Sequence, residues 1–172
     1  MKNIWFTSDT HFWHNNIVKY CDRPFDNVFE MNETIINNWN GVVKKQDEVY
    51  FLGDFTLFSS RKHIIDVIRR LNYGVFHFIK GNHDSNKITN ILKPYINDVY
   101  DLKKININKQ TIVLCHYPMK SWYKSHLGKT WQLYGHSHGN KVSEGKQMDV
   151  GVDTHNFFPW HLDEIREVMA TL

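Results

Sequence analysis

Gly81-Asn82-His83-Asp84 directly follows the apolar run Val75-Phe76-His77-Phe78-Ile79. A glycine there lets the backbone turn sharply as a strand ends. The next three residues offer a neutral oxygen donor, an imidazole and a carboxylate. Alone, this reads as readily as an Asn/Asp/Gly turn with an incidental histidine. Four other segments end in related chemistry: Asp9 with His11, Asp54 after Gly53, His116, and His136 with His138. Any one of these histidines could be structural; together they point to a site. Asp, His and Asn without thiolates are oxygen and nitrogen donors suited to Mn, Fe, Zn or Ni. Seven such donors, Asp9, His11, Asp54, Asn82, His116, His136 and His138, are too many for one ion and fit two.

A single carboxylate at Asp54 can bridge two ions. Such a pair, roughly 3.5–4 Å apart, activates a water and clamps the oxygens of an in-line displacement at phosphorus. Two divalent ions bring about +4; Asp9, Asp54 and a bridging hydroxide leave roughly +1, which draws in an anionic phosphate. His83 lies beside a ligand without needing to be one. It is a candidate general acid for the leaving oxygen, or a cation stabilising charge on phosphorus, with Asp84 fixing its tautomer.

The elements that must position these residues follow from periodicity. Asn3 to Ser8, Val49 to Leu52 and Val75 to Ile79 read as strands ending at Asp9, Asp54 and Asn82. Phe12 to Phe29 reads as irregular. Glu30 to Val43 carries apolar residues at helical spacing. A second helix with the stripe Ile64, Ile65, Ile68 and Leu71 is capped by Ser59 or Ser60, and a short third helix stops near Pro94. Alternating strands and helices imply parallel pairing with ligands beyond the carboxyl ends. Val99 to Ile107 and Thr111 to Cys115 form a hairpin turning at Asn108-Lys109-Gln110. Thr130 to Tyr134 and Gln147 to Val152 are further strands, and Leu162, Ile165, Val168 and Met169 mark a closing helix.

The 172 residues suit one domain, residues 1–172, with 41% hydrophobic and 15% aromatic content. That composition excludes a disordered or fibrous chain. The net charge of +3 comes with basic residues scattered in pairs, a mild bias to anionic partners that leaves nucleic acid possible without indicating it. Cys21 and Cys115 lack CxxC spacing, so neither a disulfide framework nor a thiolate zinc site is suggested, and a zinc deaminase is disfavoured. Neither a signal peptide nor a bilayer-length apolar run is recognisable, so the expected location is cytoplasmic, with no membrane and no evident obligate protein partner.

Asp9-x-His11, Gly53-Asp54, Gly81-Asn82-His83-Asp84, His116 and Gly135-His136-x-His138, in this order, resemble the five signature blocks of the calcineurin-like metallophosphoesterases. The start Phe6-Thr7-Ser8-Asp9-Thr10-His11-Phe12-x-His14-x-Asn16, with Arg23-Pro24-Phe25, resembles a compact bacterial and phage subgroup. The resemblance implies an α/β fold, a four-layer α/β/β/α sandwich of two mixed sheets flanked by helices. It implies one ion held by Asp9, His11, Asp54 and His138, a second by Asp54, Asn82, His116 and His136, and a catalytic His83. Manganese is the first choice of metal. The expected activity is hydrolysis of a small or nucleotide-like phosphate ester by a metal-bridging hydroxide. It leans to diesters because no insertion large enough for a cap is present. A phosphomonoesterase and a catalytically silent metal-binding scaffold are the alternatives.

Outside the ligands, His14 could touch substrate phosphate or face solvent, and Arg23 could clamp a phosphate or be an exposed loop arginine. Asp149 or Asp153 could hold a ligand histidine from behind. The segment Tyr117 to Lys129 interleaves Trp122, Tyr123, Lys124 and His126, as a base-stacking surface or as packing. His63 and His77 fall within regular elements and read as structural.

Overall fold

Apolar side chains bury on two sides of one central sheet, which explains both the order of elements and the place of the site. The computed structural model describes residues 2–57, 60–141 and 144–172. In chain order its elements are β1 (Ile4–Thr7), α1 (Ile17–Tyr20), α2 (Val28–Val42), β2 (Glu48–Phe51), α3 (Arg61–Arg70), β3 (Val75–Ile79) and α4 (Asn86–Leu92). There follow β4 (Asp98–Tyr100), β5 (Leu102–Ile107), β6 (Gln110–Cys115), β7 (Trp131–Tyr134), β8 (Gln147–Asp149), β9 (Trp160–His161) and α5 (Leu162–Thr171).

The first sheet runs β4-β3-β2-β1-β9, parallel except for β9, and the second runs β5-β6-β7-β8, parallel except for β5. The fold is therefore α/β, with two mixed sheets flanked by helices. Alternate residues of β1 to β3 face opposite ways. Val49, Phe51, Phe76 and Phe78 pack with Ile35, Trp39, Ile64 and Leu92 of the helices. Phe6, Tyr50, Leu52 and Ile79 pack with Ile112, Leu114, Leu133 and Met148 of the second sheet and with Ile165 of α5. On the far face of the second sheet, buried Gln132 donates to the Tyr117 carbonyl and accepts from the Met119 amide, tying the 117–130 loop over it.

Local signals set the helix ends. The Asn27 side chain accepts from the amides of Phe29 and Glu30, so α2 begins two residues before the expected Glu30. Ser60 caps α3 through the His63 amide, whereas Ser59 lies outside the described residues. Val67 is buried and Ile65 only half-buried, a shift of the α3 stripe. The run Val99 to Ile107 is two strands rather than one. β4 completes the first sheet and β5 starts the second, with exposed Asp101 between them. Alternation has the same period in both sheets, so it carries no mark of the crossing. Helix α1 lies inside the stretch read as irregular. Strand β8 ends at Asp149, whose carboxylate turns back to accept the Gly151 amide.

Candidate active site

The carboxyl ends of β1, β2, β3, β6 and β7 converge, and backbone hydrogen bonds lock their turns together. The amides of Asp9 and His11 donate to the carbonyls of Gly53 and Asp54 at 2.9 and 3.0 Å, and the Gly135 amide donates to the His116 carbonyl. Asp9, His11, Asp54, His136 and His138 all take left-handed backbone angles, φ between 47° and 67°. Non-glycine residues there cost of order 1 kcal/mol or more each, and such strain concentrates at functional sites. Two glycines allow the approach. A Cβ on Gly81 would lie 2.2 Å from Asp54 Oδ1, and one on Gly135 would lie 2.3 Å from Asp9 Oδ2.

Asp54 Oδ2 lies 3.4 Å from His116 Nε2, 3.6 Å from His11 Nε2 and 3.9 Å from His83 Nε2. His116 Nδ1 donates to the Leu52 carbonyl at 2.7 Å, which turns Nε2 toward Asp54 and toward Asn82 Oδ1, 3.0 Å away. His138 Nδ1 donates to Asp153 at 2.7 Å, leaving Nε2 3.9 Å from Asp9 Oδ1. Both ring nitrogens of His11 are buried without a hydrogen-bond partner among the described residues. Buried acceptors that face one another call for a cation. Among the described residues three groups have the spacing to hold one: Asp9, His11 and His138; Asp54, His116 and His136; and Cys21, His138 and Asp153, whose carboxylate is already taken by Arg23 and by His138 Nδ1. The donor set fits divalent metal ions.

Burial pushes the Asp9 carboxyl up to about 7, against the pull of His116 and His138. Burial opposes charge on His138 too, but the hydrogen bonds to Asp153 and Cys21 and the charge of Asp9 carry its ring up to about 10. Burial disfavours the Asp54 carboxylate, yet the hydrogen bond and charge of His116 hold it down at about 2. Burial drives His11 well below the ordinary histidine range. Both Asp9 and His138 must shed a proton before ligating. Metal uptake at pH 6 is therefore expected to release roughly two protons from Asp9 and His138, and fewer above about pH 7. His116 adds a further contribution: burial opposes its charge, but Asp54 and Asp9 hold it above the ordinary histidine range. Apparent affinity then rises with pH, most steeply below 7. Calorimetric titration in buffers of different ionisation heat measures this; an affinity flat across pH 5.5–7 contradicts it.

The surrounding side chains correct several expectations. Asp84 does not hold the His83 ring: its carboxylate accepts the amides of Asp54 (2.6 Å), Gly81 (2.8 Å) and Phe55 (3.1 Å), pinning two ligand turns together. The His83 amide donates to Asp54 Oδ1, and its ring is partly exposed in the cleft. Arg23 is neither a phosphate clamp nor an exposed loop residue. It is 4% exposed, forks onto Asp153 at 2.7 and 2.8 Å, and donates to the carbonyls of Asp9 and Thr10. Of the two carboxylates expected behind a histidine, Asp153 takes that place. Asp149 instead accepts Ser137 and the amides of Gly139 and Gly151.

His14 borders the cleft, as do Asn82 and His136. In the 117–130 loop Trp122 is tied down by the Thr130 carbonyl and Ser125, as packing, while Tyr117 rests edge-on against His116 and His136. His63 stacks on Trp13, and His77 sits between Glu48 and Asp98 at 3.0 Å from each. Two further side chains serve the site: the Ser8 hydroxyl donates to Asp9 Oδ2 at 2.6 Å, and Cys21, from which no thiolate site was expected, neighbours His138 and Asp153. Nothing in their spacing marks either.

Two mixed sheets bearing carboxylates and imidazoles on converging strand ends define a metal-dependent hydrolase of phosphoric esters. The model of the calcineurin-like phosphoesterase superfamily domain matches residues 1–159, and the chain belongs to that family, which implies divalent metal ions. An uncharacterized protein of Methanocaldococcus jannaschii is 39% identical, over 96% of this chain and 90% of its own. The gene 66 protein of Mycobacterium phage L5 is 26% identical over 89% and 87%. The crystal structure of a protein of unknown function from Aquifex aeolicus superposes with a TM-score of 0.77 at 27% identity, over 98% of this chain and all of that one. Among the described residues no helix is long and apolar enough to cross a membrane.

Proposed function

We propose that the protein is a dinuclear phosphodiesterase acting as a single domain. Asp9, His11, Asp54 and His138 would hold one divalent ion, and Asp54, Asn82, His116 and His136 the other. The observation that carries this reading is the position of Asp54 Oδ2, which faces His11 of one group at 3.6 Å and His116 of the other at 3.4 Å. When bound, the ions supply an activated water and neutralise charge on the phosphoryl oxygens. Manganese suits a donor set of oxygen and nitrogen, as do iron, zinc and nickel.

His83 presents its ring to the same cleft and donates the proton to the departing ester oxygen. Asn82, exposed beside it, contacts a phosphoryl oxygen. Asp84 and Arg23 keep the ligand turns at the spacing the two groups need. The cleft continues past the ligand groups to Asn16, Ile17 and Tyr20, room for a second ester substituent that supports the diester reading.

Chelator-stripped protein restored singly with Mn, Fe, Ni, Zn or Mg, and assayed on a model diester and its matching monoester, tests the reading. Metal-dependent turnover with a higher diester rate is expected. A higher monoester rate makes it a phosphomonoesterase, and two bound ions without turnover on either ester overturn the catalytic reading. His83→Ala is expected to lower turnover about a hundredfold or more while metal content stays unchanged. Loss of metal in that variant would make His83 a ligand instead.

A further inference from the structure

The cleft over the ligand groups has a volume of about 510 Å³ and extends past them to α1, where Asn16, Ile17, Tyr20 and Cys21 line it; Leu57 lines it too. Tyr20 is 73% exposed, more than any other large hydrophobic side chain among the described residues. A lone exposed tyrosine is ordinary. This one ends a row of rings that begins at the proposed acid. His83 and His14 lie 6.4 Å apart by ring centroid, and His14 meets Tyr20 edge-on at 6.2 Å. His14 also leans on His11 at 5.4 Å, and its Nδ1 is buried with no hydrogen-bond partner among the described residues.

The lining changes character along this row. At the ligand end it is ionic, drawing a phosphate. At the α1 end it is apolar and aromatic, with Asn16 and His14 as the polar groups between. That sequence of surfaces matches a phosphate, then a hydroxylated linker, then an uncharged planar ring. Aromatic faces hold such rings by stacking, for any base alike.

Resting on the hydrolase reading above, we propose that the α1 wall is the leaving-group subsite and that it takes a nucleoside, its sugar against His14 and Asn16 and its base on Tyr20. The location beside His83 assigns it to the departing side of the ester. Substrates with a base on that side are held more tightly than those without one, and Tyr20 sets the difference.

The methyl diesters of adenosine 5′-phosphate and of methyl β-D-ribofuranoside 5-phosphate share the scissile 5′-oxygen and the closed furanose, and differ at C1′ in a base against a methoxy group. Binding of each to manganese-loaded protein is measured by titration calorimetry, and turnover separately. The adenosine ester is expected to bind about tenfold tighter. Tyr20→Ala is expected to erase that advantage, whereas Tyr20→Phe and Tyr123→Ala keep it. Equal binding of the two esters by the unaltered protein, or an advantage that survives Tyr20→Ala, overturns the subsite. If the adenosine ester binds through Tyr20 and neither ester is hydrolysed, nucleoside binding at the α1 wall stands, while its leaving-group role falls with the hydrolase reading. If both are hydrolysed with equal KM, the hydrolase stands and the subsite falls.

Discussion

Asp54→Asn is expected to reduce turnover by on the order of a thousandfold and to strip at least one metal ion from the purified protein. The side chain keeps its size, and Oδ1 can still accept the His83 amide. What goes is the charge between two groups of imidazoles: Oδ2 faces His116, His11 and His83 within 3.9 Å. A neutral amide there neither bridges two cations nor compensates them, and its NH2 group points a donor where lone pairs are needed. Metal analysis alongside turnover separates the two effects. Full occupancy of two ions in Asp54→Asn would show that this carboxylate is not the bridge.

Arg23→Met should produce the largest loss of stability among changes outside the ligand set. The guanidinium is buried and donates to both oxygens of Asp153 and to the carbonyls of Asp9 and Thr10. Methionine fills much of the volume but breaks a buried ion pair, leaving Asp153 with His138 as its remaining partner and the Asp9 and Thr10 carbonyls without the guanidinium, a change that costs about 3–5 kcal/mol. For a chain of this length that lowers Tm by roughly 10 °C. The damage reaches the site, because Asp153 also orients His138; metal affinity should weaken about tenfold to a hundredfold. The double variant Arg23→Met, Asp153→Leu removes both charges and should recover part of the stability without recovering metal affinity. A single variant that melts within 2 °C of the unaltered protein would refute this account.

The role of Arg23 also marks the boundary between what was legible in the chain and what was not. Asp9, His11, Asp54, Asn82, His116, His136 and His138 could be picked out because each follows an apolar run, and a strand end with a metal-type donor is a local pattern. The strands themselves were legible for the same reason, as was the hairpin, whose Asn108 and Lys109 both adopt the left-handed angles such a turn requires.

By itself, then, the sequence determined the candidate donors, the order of strands that deliver them and the family to which the chain belongs. Tertiary structure alone decided which polar groups serve the ligands from behind. Arg23 and Asp153 are 130 positions apart, and Asp84 reaches amides about 30 positions away. It also decided that Val99 to Ile107 crosses between sheets, and that Tyr20 stands at the cleft mouth. Periodicity and turn chemistry act over a few residues, so they report which way a side chain faces. They do not report what it meets, because the partner of a buried charge is chosen by how distant segments pack.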